Sequence, residues 1–574
     1  MADRTFGWVQ EAYTISHLKN VVRVFVPDSE INKKLREDKI PRLISQEYGK
    51  AEMIEYLSAS PIEVPYTLLK GKGTPAGYTR TNAPCSGIIQ AVLPGQRKEY
   101  QSDWPADSFL RWAVSIGFLE YDRDMDTCKI SDQGYRYAVS DDDSKEEKEV
   151  LTEALLSYPP VCRILNLLES GSVMTKFEIG CQLGFVGESG FTSIPQNLIM
   201  QGLSSATTTA ERNKLLSDTE GTSDKYVRTI CAWLKSVGWV KQVRKEITAD
   251  LGYMTHTDTI SQSYVITLEG RRILKHTIGT SKFKRVAKRV MWDMLATKTA
   301  DKTYLRNRRT YLIQYLLSSY RSLEDATAFL QTKGMNEDKE TVFDDIQGLV
   351  HIGINVNRKG DKYKIMDDIV GLEIPNSIKT LSVSKSDLTA VKDDIRSKLS
   401  HIDHKYLVLI DLGFDGSSDR DYEMQTADLL TAELDFKGAR LGDSRKPDVC
   451  IYYDKNGLII DNKAYSGGYS LPIKQADEML RYIEENQKRD TGLNSNEWWT
   501  IFDNAVSEFN FAFISGEFTG RFKDRLENIS RRSHVNGAAI NSINLLLLAE
   551  EIKSGRISYH SAFKMFECND EIVI

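Results

Sequence analysis

The sequence predicts a multidomain chain of mainly α-helical units, each of helix-turn-helix or winged-helix-like design, followed by a C-terminal α/β domain built on a central mixed sheet. Three observations carry this reading. At 574 residues the chain is far longer than one hydrophobic core sustains. Its first two-thirds repeatedly place helical patterns before a short strand pair. Its last third alternates helices with apolar strands, the pattern of a sheet with helices on its faces.

The first unit, residues 1–145, ends in "DSFLRWAVSIGFLEYDRDMDTCKISDQGYRYA", a helix followed by a hairpin whose loop is made of turn residues. The run "DDDSKEEKEV", Asp141 to Val150, is too charged to pack and marks a boundary. The second unit, 149–279, reads helix, helix, strand through "PPVCRILNLL", "KFEIGCQLG", "SDKYVRTICAWLKSVGWVKQV" and "SYVITLEG", the order of a helix-turn-helix with a wing. The third, 280–374, repeats that order and closes near Pro375. A polar stretch rich in Ser and Lys makes 375–386 a linker, and the α/β domain takes 387–574.

Composition bounds the function. With 41% hydrophobic and 27% charged residues the chain is neither disordered nor fibrous. No apolar stretch is long enough to cross a bilayer, and the start "MADRTFGWVQEAY" lacks the features of a signal peptide, so a cytoplasmic protein without a membrane partner is expected. The seven cysteines are scattered, without zinc-ligand spacing, and read as small buried residues of a reducing compartment. The net charge of −6 hides an asymmetry: Arg271 to Arg309 holds thirteen Lys or Arg against Asp293 and Asp301, a net of +11. A solvated helix surface competes with a phosphate-facing one for this run, and so large an excess favours the phosphate-facing surface.

In "EGTSDKYVRTICAWLKSVG", Ser223 is the expected N-cap, and Val227, Ile230, Cys231, Leu234 and Val237 share one helical face. Lys225, Arg228 and Thr229 lie on the other face near the N-terminus, where a recognition helix presents side chains to base edges. From this helix alone, an amphipathic surface with solvated cations is the simpler reading. The wing downstream, the basic segment and the hairpin described next shift the balance.

That hairpin is "KPDVCIYYDKNGLIIDNKAY", Lys446 to Tyr465, two apolar strands with an expected turn at Asn456-Gly457. Side chains alternate along a strand, so Asp461 and Lys463 share a face, and antiparallel pairing brings Asp448 beside them. Two close carboxylates repel each other unless a cation sits between them, and their oxygens suit Mg²⁺. A lysine beside such a metal orients or deprotonates an attacking water and stabilises charge on a phosphate. A surface salt bridge is the bland alternative, but charge inside apolar strands is costly, which counts against it.

"PD" at Pro447-Asp448 and "DNK" at Asp461-Asn462-Lys463 match the PD-(D/E)XK nuclease motif. "SRKPD", "KAYSGGYSLPI", "QADEM", "RYIEENQ" and "NEWW" around it closely resemble the cleavage domain of the FokI family of type IIS restriction endonucleases. "RTFGWVQ", "RTNAPC", "DSFLRWA", "SYPPVCRIL", "GESGFTSIP", "EGTSDKY" and "MLAT" resemble that family's recognition part, so the likeness covers nearly the whole chain.

The resemblance implies a Mg²⁺-dependent type II site-specific deoxyribonuclease of the restriction-modification kind. It would bind an asymmetric site in double-stranded DNA, GGATG in this family, and cut both strands a fixed distance downstream. It implies Asp448 and Asp461 as metal ligands, Lys463 as the catalytic lysine and Glu423 as a further acidic position. The base-contact candidates it implies are Gln10, Arg80, Gln96, Trp104, Glu220, Lys225 and Arg228. Glu11 and Ser217 stand where the family pattern has Asn, and Asp443 replaces a glycine just before "SRKPD". One nuclease motif per chain calls for a second copy to cut the second strand. Asp477 and Arg481, at i and i+4 in "QADEMLRYIEEN", read from spacing as an intrahelical pair, whereas the resemblance implies an interface between two nuclease domains. No methyltransferase motif is visible, so host protection is expected from a separate protein. The alternatives are a DNA-binding protein with a silent nuclease hairpin, or a nickase.

Overall fold

The computed structural model describes residues 4–251, 255–279, 285–298, 301–379, 384–442 and 445–574. Its first three units share one topology that residue-level comparison does not reveal. Each runs helix, strand, two to four helices, strand, strand, and in each three-stranded sheet the last strand is central, with the wing's first strand on one side and the early strand on the other. In the first unit Glu63–Pro65 and Leu119–Asp122 flank Thr127–Ile130. In the second Met174–Thr175 and Val240–Asp250 flank Thr255–Ile266, and in the third Arg321–Ser322 and Val356–Lys359 flank Lys362–Ile365. This is winged-helix architecture three times over.

The first two units are fused through aromatic residues. Trp112, from the helix Asp103–Ser115, stacks on Trp233 with ring centroids 4.2 Å apart and planes 6° from parallel. The Trp233 indole in turn donates to the carbonyl of Ala12 at 2.5 Å. This pairing fixes the N-terminal segment against the second unit.

The C-terminal domain has a five-stranded mixed sheet in the order Lys437–Arg440, Val449–Tyr453, Asn456–Lys463, Glu508–Ser515, Gly537–Asn541. The first three strands pair antiparallel and the remaining pairs are parallel. Alternation sends Ile451, Leu458, Ile460 and Ile514 to one apolar face, and Cys450, Ile459, Phe511 and Phe513 to the other. The second face packs against helices that include Ile473–Lys488 and Phe522–Ser533.

Four expectations from sequence are corrected here. Tyr453 pairs with Asn456 and Tyr452 with Gly457, so the hairpin turn is Asp454-Lys455 and not Asn456-Gly457. Asp454 adopts the left-handed φ of 52°, while Gly457 is needed because a Cβ there would meet the Phe509 ring at 2.7 Å. The candidate recognition helix, Thr222–Ser236, is capped by Gly221, not Ser223. A Cβ at Gly221 would strike the Thr192 carbonyl at 2.3 Å, and Asp224 supplies the capping bond to the Gly221 amide at 2.9 Å. Cys181 and Cys568 are exposed, while the other five cysteines are buried.

The fourth correction is the basic run. Lys288, Arg306, Arg308 and Arg309 are buried rather than phosphate-facing. Lys288 pairs with Asp367 at 2.8 Å, and Arg308 and Arg309 each reach Asp345 at 2.7 Å. Arg306 pairs with Asp293 at 3.4 Å inside the 271–309 window, but the counter-charges of Lys288, Arg308 and Arg309 come from outside it, which a local charge count cannot see. Arg271, Arg272, Lys275 and Lys298 are exposed, and Lys282 and Lys284 lie outside the described residues.

The C-terminal domain is docked on the second and third units. Its apolar core is continuous with Phe177, Ile194, Leu198 and Ile199 of the second unit. At the end of the linker, Lys385 pairs with Glu337 at 2.8 Å and with Asp393 at 2.7 Å, and Arg396 of the following helix pairs with Asp344 at 2.8 Å.

Candidate active site and nucleic-acid interface

The central strand Asn456–Lys463 carries both Asp461 and Lys463, and Asp448 immediately precedes the neighbouring strand. The Asp448 amide donates to the Ile460 carbonyl at 3.1 Å, and Asp448 Oδ2 accepts the Asn462 amide at 2.7 Å. Lys463 Nζ is 2.8 Å from Asp461 Oδ2 and 4.0 Å from Asp448 Oδ2. The three charged groups thus converge as the alternation argument expects. Asn462 faces the other way and donates to Thr426 Oγ1 at 2.8 Å.

Burial, then the negative charges of Asp461 and Glu423, push the Asp448 carboxyl well above its ordinary range, and Lys463 only partly offsets them. Burial alone would depress the Lys463 ammonium, but Asp461 and Asp448 outweigh it and hold that group above its ordinary value. Two carboxylates therefore share one cation in a site that is only partly open to solvent. Asp461 Oδ2, though ion-paired with Lys463, accepts no hydrogen bond. Glu423, on the helix Asp419–Asp428, is held by Arg440 through contacts of 2.9 and 2.7 Å to one carboxylate oxygen. Among the described residues no three His, Cys, Asp or Glu side chains cluster closely enough to hold a metal, so the metal-ligating capacity here is that of the Asp448–Asp461 pair. Asp443 lies outside the described residues.

The base-contact candidates gather in two neighbouring clefts. Arg80, Gln96 and Arg228 line one of about 660 Å³, together with Glu11, His17 and Arg97. Gln10, Trp104 and Lys225 line the other, of about 260 Å³, with Arg111 and Lys298. The Arg80 guanidinium lies 6.0 Å from the Trp104 ring centroid, and Trp104 is 38% exposed. Glu220 is different: it is buried, pairs with Lys176 at 2.6 Å and with Arg228 at 3.1 Å, and so anchors Arg228. Thr229 is also buried, its hydroxyl accepting the Glu11 amide at 3.2 Å.

A loop ties this interface to the nuclease-motif domain. Asp224 of the helix Thr222–Ser236 accepts the Ile194 amide at 3.0 Å and the Ser193 hydroxyl at 2.5 Å. The same loop meets the helix bearing Glu423: Gln425 donates to the Ser193 carbonyl at 3.1 Å, and the Thr192 hydroxyl lies 3.4 Å from Asp421. Arg420 donates to Thr219 Oγ1 at 2.9 Å.

Asp477 and Arg481 do not pair with each other. Asp477 accepts from Arg532 of the next helix at 3.1 Å, and Arg481 pairs with Glu478 at 3.2 Å. Spacing within one helix could not reveal Arg532. Arg440, Asn462 and the loop 192–194 were likewise missed, because their roles depend on partners distant in sequence.

Three winged-helix units beside a mixed-sheet domain with a PD…DxK constellation define a protein that separates DNA recognition from nuclease chemistry, the class of type II restriction endonucleases. Comparison with known proteins places it within that class. The chain matches FokI recognition domain subdomain 1 over residues 4–140, subdomain 2 over 147–282, the FokI D3 domain over 295–361 and the FokI cleavage domain over 385–573. It is 41% identical over 577 residues to the type II restriction enzyme FokI of Planomicrobium okeanokoites, covering 99% of each chain. It is 31% identical over 571 residues to the type II restriction enzyme StsI of Streptococcus sanguinis, covering 96% of this chain and 93% of that one. Solved structures of FokI alone and of FokI bound to DNA superpose with TM-scores of 0.93 and 0.94 at 40% and 39% identity, each over 100% of both chains. The chain belongs to the FokI family of type II restriction endonucleases. No helix among the described residues is long and apolar enough to cross a membrane.

Proposed function

We propose that the chain binds a short asymmetric site in double-stranded DNA, GGATG by family resemblance, and hydrolyses both strands a fixed distance downstream in a Mg²⁺-dependent reaction. The observation that carries this reading is the Asp448–Asp461 pair sharing one lysine at 4.0 and 2.8 Å. Asp448 and Asp461 would hold Mg²⁺, and their residues fit it: two adjacent carboxylates, Asp461 buried and Asp448 part-buried, one with an oxygen whose sole partner is the Lys463 ammonium. Bound there, the ion supplies Lewis-acid and template chemistry. Lys463 is a cation against Asp461, suited to orienting the water and stabilising charge on the phosphate. The apolar strands around it exclude bulk water and strengthen these interactions. Glu423, neutralised by Arg440, limits the negative charge a phosphodiester meets.

Lys225 and Arg228 would read guanine edges, with Gln10, Arg80, Gln96 and Trp104 completing the clefts. Glu220 would act by aiming Arg228. Cutting both strands would take a second copy, dimerising transiently on DNA through the helix Ile473–Lys488 with Asp477 and Arg481 exchanging partners across the two-fold axis. A separate methyltransferase would protect the host's own sites, in the bacterial cytoplasm. Retention of Asp448, Asp461 and Lys463 counts against a silent DNA-binding protein, and counting cut strands separates a nickase. The test is incubation of plasmid DNA with the protein and Mg²⁺, with sequencing of every end. Discrete cuts at constant offset from one motif are expected. DNA that stays intact while still retained in a gel shift would overturn the nuclease reading.

A further inference from the structure

Asp448 is held from two sides. Its C-terminal side is part of the sheet, through the bond to the Ile460 carbonyl at 3.1 Å. Its N-terminal side, Arg445 to Pro447, is not in a strand, and Arg445 adopts a left-handed φ of 67° that a non-glycine residue keeps only when its surroundings impose it. What imposes it comes from the helix Ile473–Lys488. The Tyr482 hydroxyl donates to the Lys446 carbonyl at 2.8 Å. Glu485, one turn further along, accepts from Trp498 Nε1 at 2.7 Å and from Asn494 Nδ2 at 3.0 Å, and Asn494 Nδ2 lies 3.1 Å from the Arg445 carbonyl. Two consecutive carbonyls before Asp448 are thus tied to this helix and its neighbouring loop.

We propose that Tyr482 is a positioning residue for the metal site, holding Lys446-Pro447 so that the Asp448 carboxylate stays opposed to Asp461 and Lys463. The ring is 3% exposed and lies edge-on to Trp498 with centroids 6.0 Å apart, so the hydroxyl has a fixed origin. Glu478 Oε1 sits 3.3 Å from the same hydroxyl and accepts from Arg481 at 3.2 Å. With its one proton given to the Lys446 carbonyl, the Tyr482 hydroxyl meets Glu478 only as a polar neighbour, and the donor to that carboxylate is Arg481. Without the hydroxyl, the Lys446 carbonyl loses its donor and the segment is released from the left-handed conformation held at Arg445. Asp448 then drifts from its opposing carboxylate.

This inference rests on the two-carboxylate metal site proposed above, and its test separates the two. The full chain and its Tyr482→Phe variant are titrated with Mn²⁺ by electron paramagnetic resonance, beside Asp461→Ala, and cleavage is followed against Mg²⁺ concentration. Tyr482→Phe is expected to bind its site-bearing duplex unchanged and melt near the parent temperature, yet to lose Mn²⁺ affinity by about 10-fold, with a matching rise in the Mg²⁺ midpoint. Parental Mn²⁺ affinity in a folded Tyr482→Phe would overturn the positioning role while leaving the metal site standing. A parent chain whose Mn²⁺ binding is unaffected by Asp461→Ala would overturn the metal site and this role with it. Asn494→Ala, which removes the ties to Arg445 and Glu485 and leaves the Tyr482 ring in place, reads the same Mn²⁺ affinity should the phenylalanine variant fail to fold.

Discussion

Two largely enclosed charge clusters in this chain are opposite in electrostatics. Where the C-terminal domain joins the third unit, Arg308 pairs with Asp345 at 2.7 Å, Glu337 at 3.3 Å and Asp393 at 3.7 Å, while Arg309 pairs with Asp345 and Glu188. Burial would raise the Asp345 carboxyl, but Arg308 and Arg309 bring it down to about 2. At the hairpin, burial and the neighbouring carboxylates raise Asp448. The difference lies in the neighbours rather than the burial. With Lys385 and Arg396 on Glu337, Asp393 and Asp344, the joint sets four cations against five carboxylates, close to the balance of a structural network, whereas the hairpin leaves two carboxylates to one lysine, an imbalance that a divalent cation would resolve.

Breaking each cluster should therefore hurt a different property. The largest expected effect is on cleavage: Asp461→Ala should lower the single-turnover rate by at least about 10³-fold, the scale of losing a metal ligand that stabilises transition-state charge. Gel-shift affinity for the cognate duplex should stay within about 2-fold of the parent, because the phosphate and base contacts that set affinity lie elsewhere. Equal loss of binding and cleavage would mean that the hairpin supports the fold rather than the chemistry.

Arg308→Ala should do the reverse. Removing one partner of a buried ion-pair network costs about 3–5 kcal/mol, read as a lower denaturant midpoint or as early release of the C-terminal domain. A change below about 1 kcal/mol would place the network among the weakly coupled surface pairs.

The comparison sharpens with pH. Asp345 has a folded pKa below its unfolded value, so its stabilising contribution is present above about pH 4 and fades as pH falls toward 2. Its loss should cost about 2 kcal/mol and flatten the acid limb in Asp345→Asn. Asp448 is the opposite case: its folded pKa is raised, so its ionisation destabilises the fold increasingly as pH rises above the ordinary carboxylate value. In chelator, Asp448→Asn should stabilise the protein at neutral pH by about 1–2 kcal/mol, the gain typical of relieving a functional site. Thermal melts of the two variants from pH 3 to 8 check both signs.

These two clusters also show how much a sequence discloses. The active-site hairpin was legible because alternation along one strand and pairing with the next bring Asp448, Asp461 and Lys463 together through local geometry. Even its error, the turn at Asn456-Gly457, had a nonlocal cause: the glycine answers to Phe509 on a strand about fifty residues later. The joint was misread for the same kind of reason. Arg308 and Arg309 look like a surface stripe until Asp345, Glu337 and Glu188 are placed beside them by tertiary packing. The recurrence of one winged-helix topology was legible as helix-then-hairpin, but the edge strands Glu63–Pro65, Met174–Thr175 and Arg321–Ser322 are too short to announce themselves by periodicity.

Glu220 lies between the two extremes, a buried carboxylate with two cations, Lys176 and Arg228. Glu220→Gln keeps the shape and removes the charge that aims Arg228. Discrimination between the cognate site and a single-base variant should fall by about 1–3 kcal/mol, the worth of one well-placed guanine contact, with little change in nonspecific affinity. Competition gel shifts at fixed salt measure it, and an equal loss on every sequence would make Arg228 a phosphate contact.

The smallest effect on the fold is expected where charge is wettest. Asp477 and Arg532 are 54% and 56% exposed at 3.1 Å, so disrupting the pair in Arg532→Ala should change stability by no more than about 0.5 kcal/mol. Its consequence belongs instead to association. If the exposed face of the helix Ile473–Lys488 meets a second copy, Asp477 must leave Arg532 for a cation across the two-fold axis. Releasing it in advance should then shift the enzyme concentration needed for second-strand cutting, while Asp477→Ala should raise that concentration. Comparing first- and second-strand rates across enzyme concentrations in the two variants decides the matter. Identical profiles in parent, Arg532→Ala and Asp477→Ala would place the meeting surface on another face of the domain.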